Sequence, residues 1–255
     1  MPELPEVETI CRQLNSVLAG QRIKSLQGCS LQVVGKKILG VRRKAKMIII
    51  ELSGGVSLLI HLKMTGQLIY NGKQNKYTRA ILELDKGRLY FNDLRRFGWI
   101  KIVDRSEILD LRLKLPPDVI DKEFTAEYLE KVLKSSGRAI KLILMDQQKM
   151  GGIGNIYANE ILFCAGIDPR RPANTYGMQV RNLHQCIKRV IGLGIKYGGT
   201  TASDESFKNI LGKAGKFQNY LKVYENKGKC EKCQTKIQII KLGGRGTYFC
   251  PNCQS

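Results

Sequence analysis

The apolar positions near the start of the chain fall at Val7, Ile10, Cys11, Leu14, Val17 and Leu18, the i, i+3, i+4, i+7 stripe of a helix with one buried face, and Gly20 closes it. The pattern then changes to short β-type runs at residues 21–26, 46–52, 56–60, 67–70, 79–84, 88–91 and 99–103, several of them separated by Gly-rich turns. Strands at that spacing predict an antiparallel β-sandwich or barrel over residues 1–110, with the first helix packed on or beside it. Cys11 belongs to the helical stripe and reads as core.

The segment from Leu111 to Asp118 contains Pro116-Pro117, which interrupts strand and helix alike, so residues 111–121 are expected to be a linker. After it the period is helical. Phe124, Tyr128, Leu129, Val132 and Leu133 make one stripe, and further helical patterns cover 138–148, 155–165 and 180–195, giving a helical region over 122–214. Between the second and third of these lies Gly151-Gly152-Ile153-Gly154-Asn155, a glycine turn running into a helix N-terminus. Exposed amides there suit a phosphate, although a tight interhelical turn needs the same residues.

Residues 215–255 carry the most specific pattern. Cys230-x2-Cys233 and Cys250-x2-Cys253 offer four thiolates as two close pairs, the donor set of a closed tetrahedral zinc site; disulfides are the alternative. With every ligand position filled, one zinc ion there is structural and supplies folding energy to a small β-hairpin module. Lys236, Lys241, Arg245 and the Gly243-Gly244-Arg245-Gly246 turn give that hairpin a basic tip. The fold class expected is therefore α+β in several parts: sandwich with N-terminal helix, helical region, zinc-finger hairpin.

Charge narrows the partner. The chain has 43 Lys plus Arg against 22 Asp plus Glu, a formal charge of +21, which suits a polyanion such as nucleic acid. No apolar run reaches the roughly 18 residues of a membrane helix, and no basic region followed by an apolar one opens the chain, so a cytoplasmic or nuclear location is expected.

The opening octapeptide, Met1-Pro2-Glu3-Leu4-Pro5-Glu6-Val7-Glu8, admits two readings. Pro and acidic residues are what a helix start prefers. Alternatively, once Met1 is removed, Pro2 carries a secondary amine; an α-amino group titrates at about 7.7–8.0, so about a tenth is neutral at pH 7 and nucleophilic, with Glu3 beside it to move protons.

Taken with Gly152-Ile153-Gly154-Asn155-Ile156-Tyr157-Ala158-Asn159-Glu160 and the four-Cys finger, the octapeptide resembles the formamidopyrimidine-DNA glycosylases of the Fpg/Nei family, across nearly the whole chain. The resemblance implies a bifunctional glycosylase and abasic-site lyase of base excision repair. Its expected partner is double-stranded DNA holding oxidised purines or abasic sites, and the expected protein is a monomer of the bacterial cytoplasm, on the nucleoid. Pro2 then falls on the family's nucleophile, Glu3 on its acid/base and Lys46 on its catalytic lysine. His61-Leu62-Lys63-Met64-Thr65-Gly66 resembles the loop whose His meets a phosphate and whose Met fills the gap left by the extruded base. Asp93-Leu94-Arg95-Arg96-Phe97-Gly98 resembles the loop whose first Arg pairs with the orphaned base while Phe wedges into the stack. Asn155 and Arg245 match phosphate-binding residues, and Arg245 also joins Pro2, Glu3 and Lys46 in the catalytic set. Residues 207–218 correspond to a lesion-capping lid that includes Gly212 and Gly215, and Glu6 joins these in lesion recognition.

Met-Pro-Glu-Leu-Pro-Glu favours the oxidised-purine branch; the alternatives are an endonuclease VIII-like preference for oxidised pyrimidines, or a catalytically silent reader of damage. Three departures from the family pattern stand out. Residues 28–40 are too few for the usual strand and helix, which puts one or two sheet elements in question. Lys63 replaces a Gly, and Glu225-Asn226 replaces Gly-Arg.

Overall fold

A computed structural model describes residues 1–28, 32–175, 179–203 and 207–255. The chain forms two compact units, Met1–Lys114 with Gly194–Gln218, and Leu115–Leu193 with Asn219–Ser255. Residues 194–214, expected with the helices, thus pack with the sheets, and the expected linker 111–121 holds the end of a helix.

The first unit is a sandwich of two antiparallel sheets. One has the order β1 (Ile23–Gln27), β6 (Thr78–Leu84), β7 (Gly87–Asp93), β5 (Gly66–Tyr70); the other has β2 (Ile38–Lys44), β3 (Met47–Leu52), β4 (Val56–His61), β8 (Trp99–Asp104). Alternation along each strand sends Ile48, Ile50, Leu58, Ile60, Leu82 and Leu89 into one shared core. Helix α1 (Leu4–Leu18) adds Val7, Ile10, Leu14 and Leu18 to it. It also runs along edge strand β2, where Asn15 Oδ1 accepts from the Val41 amide at 2.9 Å, so part of an otherwise unpaired edge is satisfied. Cys11 is 3 % exposed, and burial pushes its thiol well up, as a core cysteine requires.

The shortened segment after β1 costs no strand among the described residues, since both sheets have four; residues 29–31 lie outside the description. Val33 drops into the core, and Arg22 bridges to Lys37 so that β2 begins at Ile38. A second element beyond the sequence pattern is α2 (Arg105–Lys114), whose Ile108 and Leu111 cover Ile49, Leu59 and Val103 on the outer face of the second sheet.

In the second unit α3 (Ala126–Lys134) starts at Thr125, whose hydroxyl caps the Tyr128 amide at 3.1 Å. The expected helix at 138–148 shortens to α4 (Ile140–Leu144), followed by α5 (Asn155–Ala165) and α6 (Val180–Lys196). The hairpin is β9 (Gln238–Leu242) and β10 (Arg245–Phe249) around Gly243-Gly244, both at positive φ as a two-residue turn needs. No described helix is long and apolar enough to cross a membrane.

Candidate active site and nucleic-acid interface

The chain terminus is held rather than frayed. Pro2 is buried, Glu3 is 2 % exposed, and Glu3 with Glu6 closes a reciprocal capping box at the start of α1. Glu6 Oε2 accepts from the Glu3 amide at 2.7 Å, and Oε1 accepts from the Thr200 amide at 2.6 Å. Thr200 lies 194 residues away in sequence, on the segment that returns from α6. A carboxylate 1 % exposed and gripped by two backbone amides fixes the octapeptide to the scaffold, so Glu6, expected at the lesion, is engaged in holding the terminus.

Lys46 sits in the two-residue turn between β2 and β3 rather than at the strand start, and is 5 % exposed. The turn is tied to α1: Arg43 Nε donates to Glu8 at 2.8 Å while an Arg43 terminal nitrogen donates to the Ala45 carbonyl at 3.0 Å. Burial would raise the Glu8 carboxyl, but its hydrogen bonds from Arg12 and Arg43 hold it below the usual value, so the pair stays charged. One chain of contacts therefore runs from the helix that begins beside Pro2 to the turn that bears Lys46.

Two loops lie at the end of the sandwich strands. In the first, His61 Nδ1 accepts from the Lys63 amide at 2.9 Å, which places the ring proton on Nε2. Burial first, then the Lys63 and Lys46 charges, lowers His61 to about 4, so the ring is neutral at pH 7. Lys63 takes a positive φ of 50°, the backbone form that the glycine of the family pattern adopts without strain. In the second loop, Asp93 is 1 % exposed; its Oδ1 accepts from the Thr65 hydroxyl at 2.5 Å and its Oδ2 from the Gly98 amide at 2.6 Å. That one carboxylate ties the Met64 loop to the Arg95 loop and pins both ends of 94–98 while its tip stands out. Phe97 is 54 % exposed, with the Arg95 guanidinium 4.9 Å above its ring. Met64 is half-buried.

The 207–218 segment is anchored more firmly than a freely swinging lid. Phe207 and Ile210 enter the sandwich core, the Tyr70 amide donates to the Ile210 carbonyl at 2.8 Å, and a Cβ on Gly215 would lie 2.2 Å from the Gly199 carbonyl oxygen. The tip, Leu211 to Ala214 with Gly212 at φ 73°, is exposed. Of the expected site residues, Pro2, Glu3, Glu6, Lys46, His61, Met64, Arg95, Phe97, Gly212 and Gly215 belong to the first unit.

Asn155, Arg245 and the cysteines belong to the second. The glycine turn before α5 has a steric reason: a Cβ on Gly151 would lie 2.0 Å from Asp118 Oδ1, and the Val119 amide donates to the Gly151 carbonyl, so the Pro-Pro segment holds the turn. Asn155 and Arg245 are brought together by the hairpin. Asn155 Nδ2 donates to the Gly246 carbonyl at 3.2 Å, and fully buried Lys141 donates to the same carbonyl at 3.0 Å and to Thr247 Oγ1 at 2.7 Å. Asn159 Oδ1 accepts from the Tyr248 amide, and Glu160 accepts from the amides of Lys222, Val223 and Tyr224 at 2.8–2.9 Å. Lys141 and Thr200 carry no signal in the chain pattern, and Asp93 and Glu160 stand in the quoted motifs without an assigned role, because most of their partners are distant in sequence.

The four finger sulfurs lie within 4.8 Å of one another, with neighbours at 3.4–3.9 Å, close to the edge of about 3.8 Å of a tetrahedron with 2.3 Å Zn–S bonds. Thr235 hydrogen bonds lower Cys233 to about 5, while the neighbouring Cys233 sulfur pushes Cys253 up to about 12; crowded thiols of this kind ionise together only around a cation. The donor set fits one structural Zn2+.

These features define a DNA glycosylase with a zinc finger. Residues 1–100 match the formamidopyrimidine-DNA glycosylase N-terminal domain, 115–206 the H2TH domain of the same enzymes, and 227–255 the zinc finger found in FPG and IleRS. A formamidopyrimidine-DNA glycosylase from Carboxydothermus hydrogenoformans is 38 % identical over 272 residues, covering all of both chains. The MutM (Fpg) crystal structure from Thermus thermophilus superposes with a TM-score of 0.92 at 36 % identity, covering 99 % of this chain and 98 % of that one. Lactococcus lactis Fpg in complex with abasic-site DNA gives 0.90 at 33 % identity, covering 99 % of each chain. The chain belongs to the formamidopyrimidine-DNA glycosylase family, bifunctional glycosylase and abasic-site lyase enzymes of base excision repair.

Proposed function

We propose that this enzyme excises oxidised purines, 8-oxoguanine and formamidopyrimidines, from duplex DNA and cuts the strand at the resulting site by β,δ-elimination. The observation that carries the reading is the buried terminus, in which Pro2 is followed by the Glu3–Glu6 capping box and Glu6 accepts from the Thr200 amide. With Met1 removed, the Pro2 nitrogen lone pair attacks C1′ and the bond from C1′ to the base breaks. Glu3 protonates the ring oxygen as the sugar opens, leaving an iminium between Pro2 and C1′. The iminium acidifies the C2′ protons, so loss of one expels the 3′ phosphate, and a second elimination expels the 5′ phosphate. Lys46 stabilises charge near the base and the ring oxygen.

Extruding a nucleotide costs a few kcal/mol of stacking and pairing, part of which an apolar wedge and a guanidinium offset. Phe97 as wedge, Met64 as filler and Arg95 against the orphaned base suit that division, because Asp93 fixes their loops while Phe97 and Arg95 stand exposed. Neutral His61 offers its Nε2 hydrogen to a phosphate, and Asn155 and Arg245 hold further phosphates. Gly212, at the exposed tip, lets backbone amides read the lesion, and Gly215 lets the loop base pack. The enzyme works on the nucleoid of a bacterial cytoplasm.

Borohydride reduction during reaction with an 8-oxoguanine duplex traps a covalent adduct that peptide mapping places on Pro2. An active, Met1-processed preparation that gives no adduct would sink the proposal. Running an oxidised-pyrimidine duplex alongside separates the purine preference from its alternative, and binding without an adduct on either duplex marks a silent reader.

A further inference from the structure

Among the described residues, two cysteines lie outside the zinc site and the sandwich core and face each other. Cys164 is in the last turn of α5 and half-buried; Cys186 is in the second turn of α6 and 6 % exposed. Their Cα atoms are 5.8 Å apart, inside the range that a disulfide spans without moving the backbone, and their sulfurs are bonded in this structure. Permanent disulfides are rare in reducing compartments, where such a pair cycles between thiols and cystine.

The pair's position gives that cycle a consequence. Helix α5 is the spine of the second unit: its first residue is Asn155, Asn159 and Glu160 hold hairpin and pre-hairpin amides, and Phe163 packs among Val223, Cys230, Ile237 and Cys250 of the finger core. Toward α6 the polar tie is Asn182 Nδ2 donating to the Ala165 carbonyl at 3.2 Å, one residue beyond Cys164. A covalent link at 164–186 closes a loop with a sequence separation of 22 and fixes the far end of the helix whose near end carries the phosphate-binding turn.

We propose that Cys164 and Cys186 are a reversible oxidation site, taking a peroxide as oxidant, and that the disulfide braces the DNA-binding unit when oxidant is present. The Cys164 thiolate, the more exposed of the two, attacks the peroxide oxygen, giving a sulfenic acid and water or an alcohol. The Cys186 thiolate then attacks that sulfur and displaces hydroxide, which leaves as water, so two thiols are oxidised by two electrons and one peroxide is reduced. Cys230, Cys233, Cys250 and Cys253 would hold zinc as thiolates and so be kept out of this exchange. The inference does not depend on which base the enzyme excises.

Mild hydrogen peroxide treatment of the zinc-loaded, full-length enzyme tests it. Tryptic peptides 150–170 and 182–188 are expected to become cross-linked with zinc content unchanged. The unfolding midpoint of the second unit should rise by roughly 5–10 °C, and dithiothreitol should reverse both effects. Cys186→Ser should show neither response. Because reduced and oxidised wild-type enzyme are compared directly, the test stands even if that variant folds poorly. No cross-link at peroxide doses that leave zinc bound, a cross-link only with zinc loss, or a cross-link without a shift in midpoint would each overturn the proposal.

Discussion

Each unit is closed by a buried glutamate that accepts backbone amides from a distant segment, but the two glutamates work against different backgrounds. Glu6 grips Glu3 and Thr200 in a unit whose single core draws on α1 and both sheets. Glu160 grips three consecutive amides beside a finger whose buried apolar cluster is Phe163, Val223, Ile237 and two cysteines. Burial raises the Glu160 carboxyl even though the three amides favour its ionised form, which reflects how little solvent reaches it. Where the apolar core is large, the polar staple sets the geometry of the chain terminus. Where it is small, staple and metal together provide the stability.

The largest effect expected is from zinc removal. A strong chelator should unfold the finger and reduce duplex affinity by a hundredfold or more, while the β-sheet circular dichroism of the first unit persists; simultaneous loss of both signals would show that the units do not differ in this way. Glu160→Ala comes next. Leaving three amides without an acceptor, that of Val223 buried, should cost about 3 kcal/mol in denaturant unfolding of the second unit. Glu6→Gln keeps the shape but turns one acceptor toward a donor, so single-turnover excision should fall by about tenfold or more with duplex affinity almost unchanged. A loss of affinity equal to the loss of rate would remove the distinction between the two staples. Arg245→Ala should weaken binding to all duplexes and lower the salt slope by about one charge; a change confined to one opposite base would mean that Arg245 reads sequence.

The smallest effect concerns His61. Its folded-state value near 4 lies below the ordinary 6.5, so protonation is disfavoured in the fold. The stability contributed by the neutral ring is complete above pH 6.5 and is lost as the pH falls through 4. His61→Asn should therefore flatten the unfolding midpoint between pH 6.5 and 4 and leave it unchanged at pH 8. Equal pH dependence in the variant would place the titration elsewhere.

How much of this could be read from the chain follows from the range of the interactions. The stripe of α1, the paired strand runs and the four-Cys finger are local patterns, and the structure contains them. The octapeptide is ambiguous alone, since a helix start and a nucleophile need the same residues, and in the structure α1 does begin at Leu4. Strand β2 escapes because Arg42, Arg43 and Lys44 read as a basic run, although Arg43 turns inward to Glu8. Helix α2 escapes because its leucines do not fall on a single stripe. The staples on Thr200 and on residues 222–224, and the Cys164–Cys186 pair, join positions that no local period connects.

The tie between Glu6 and Thr200 also sets an order of assembly. Because the first unit is completed by Gly194–Gln218, a chain emerging from the ribosome cannot finish it at Lys114, although the eight described sandwich strands have by then been made. Until Gly194–Gln218 is made, the Thr200 amide is not there to hold Glu6. A fragment ending at Lys114 should accordingly contain the octapeptide, Lys46 and the Met64 and Arg95 loops and still lack the Thr200 tie, so the octapeptide is among the last parts of its unit to be fixed.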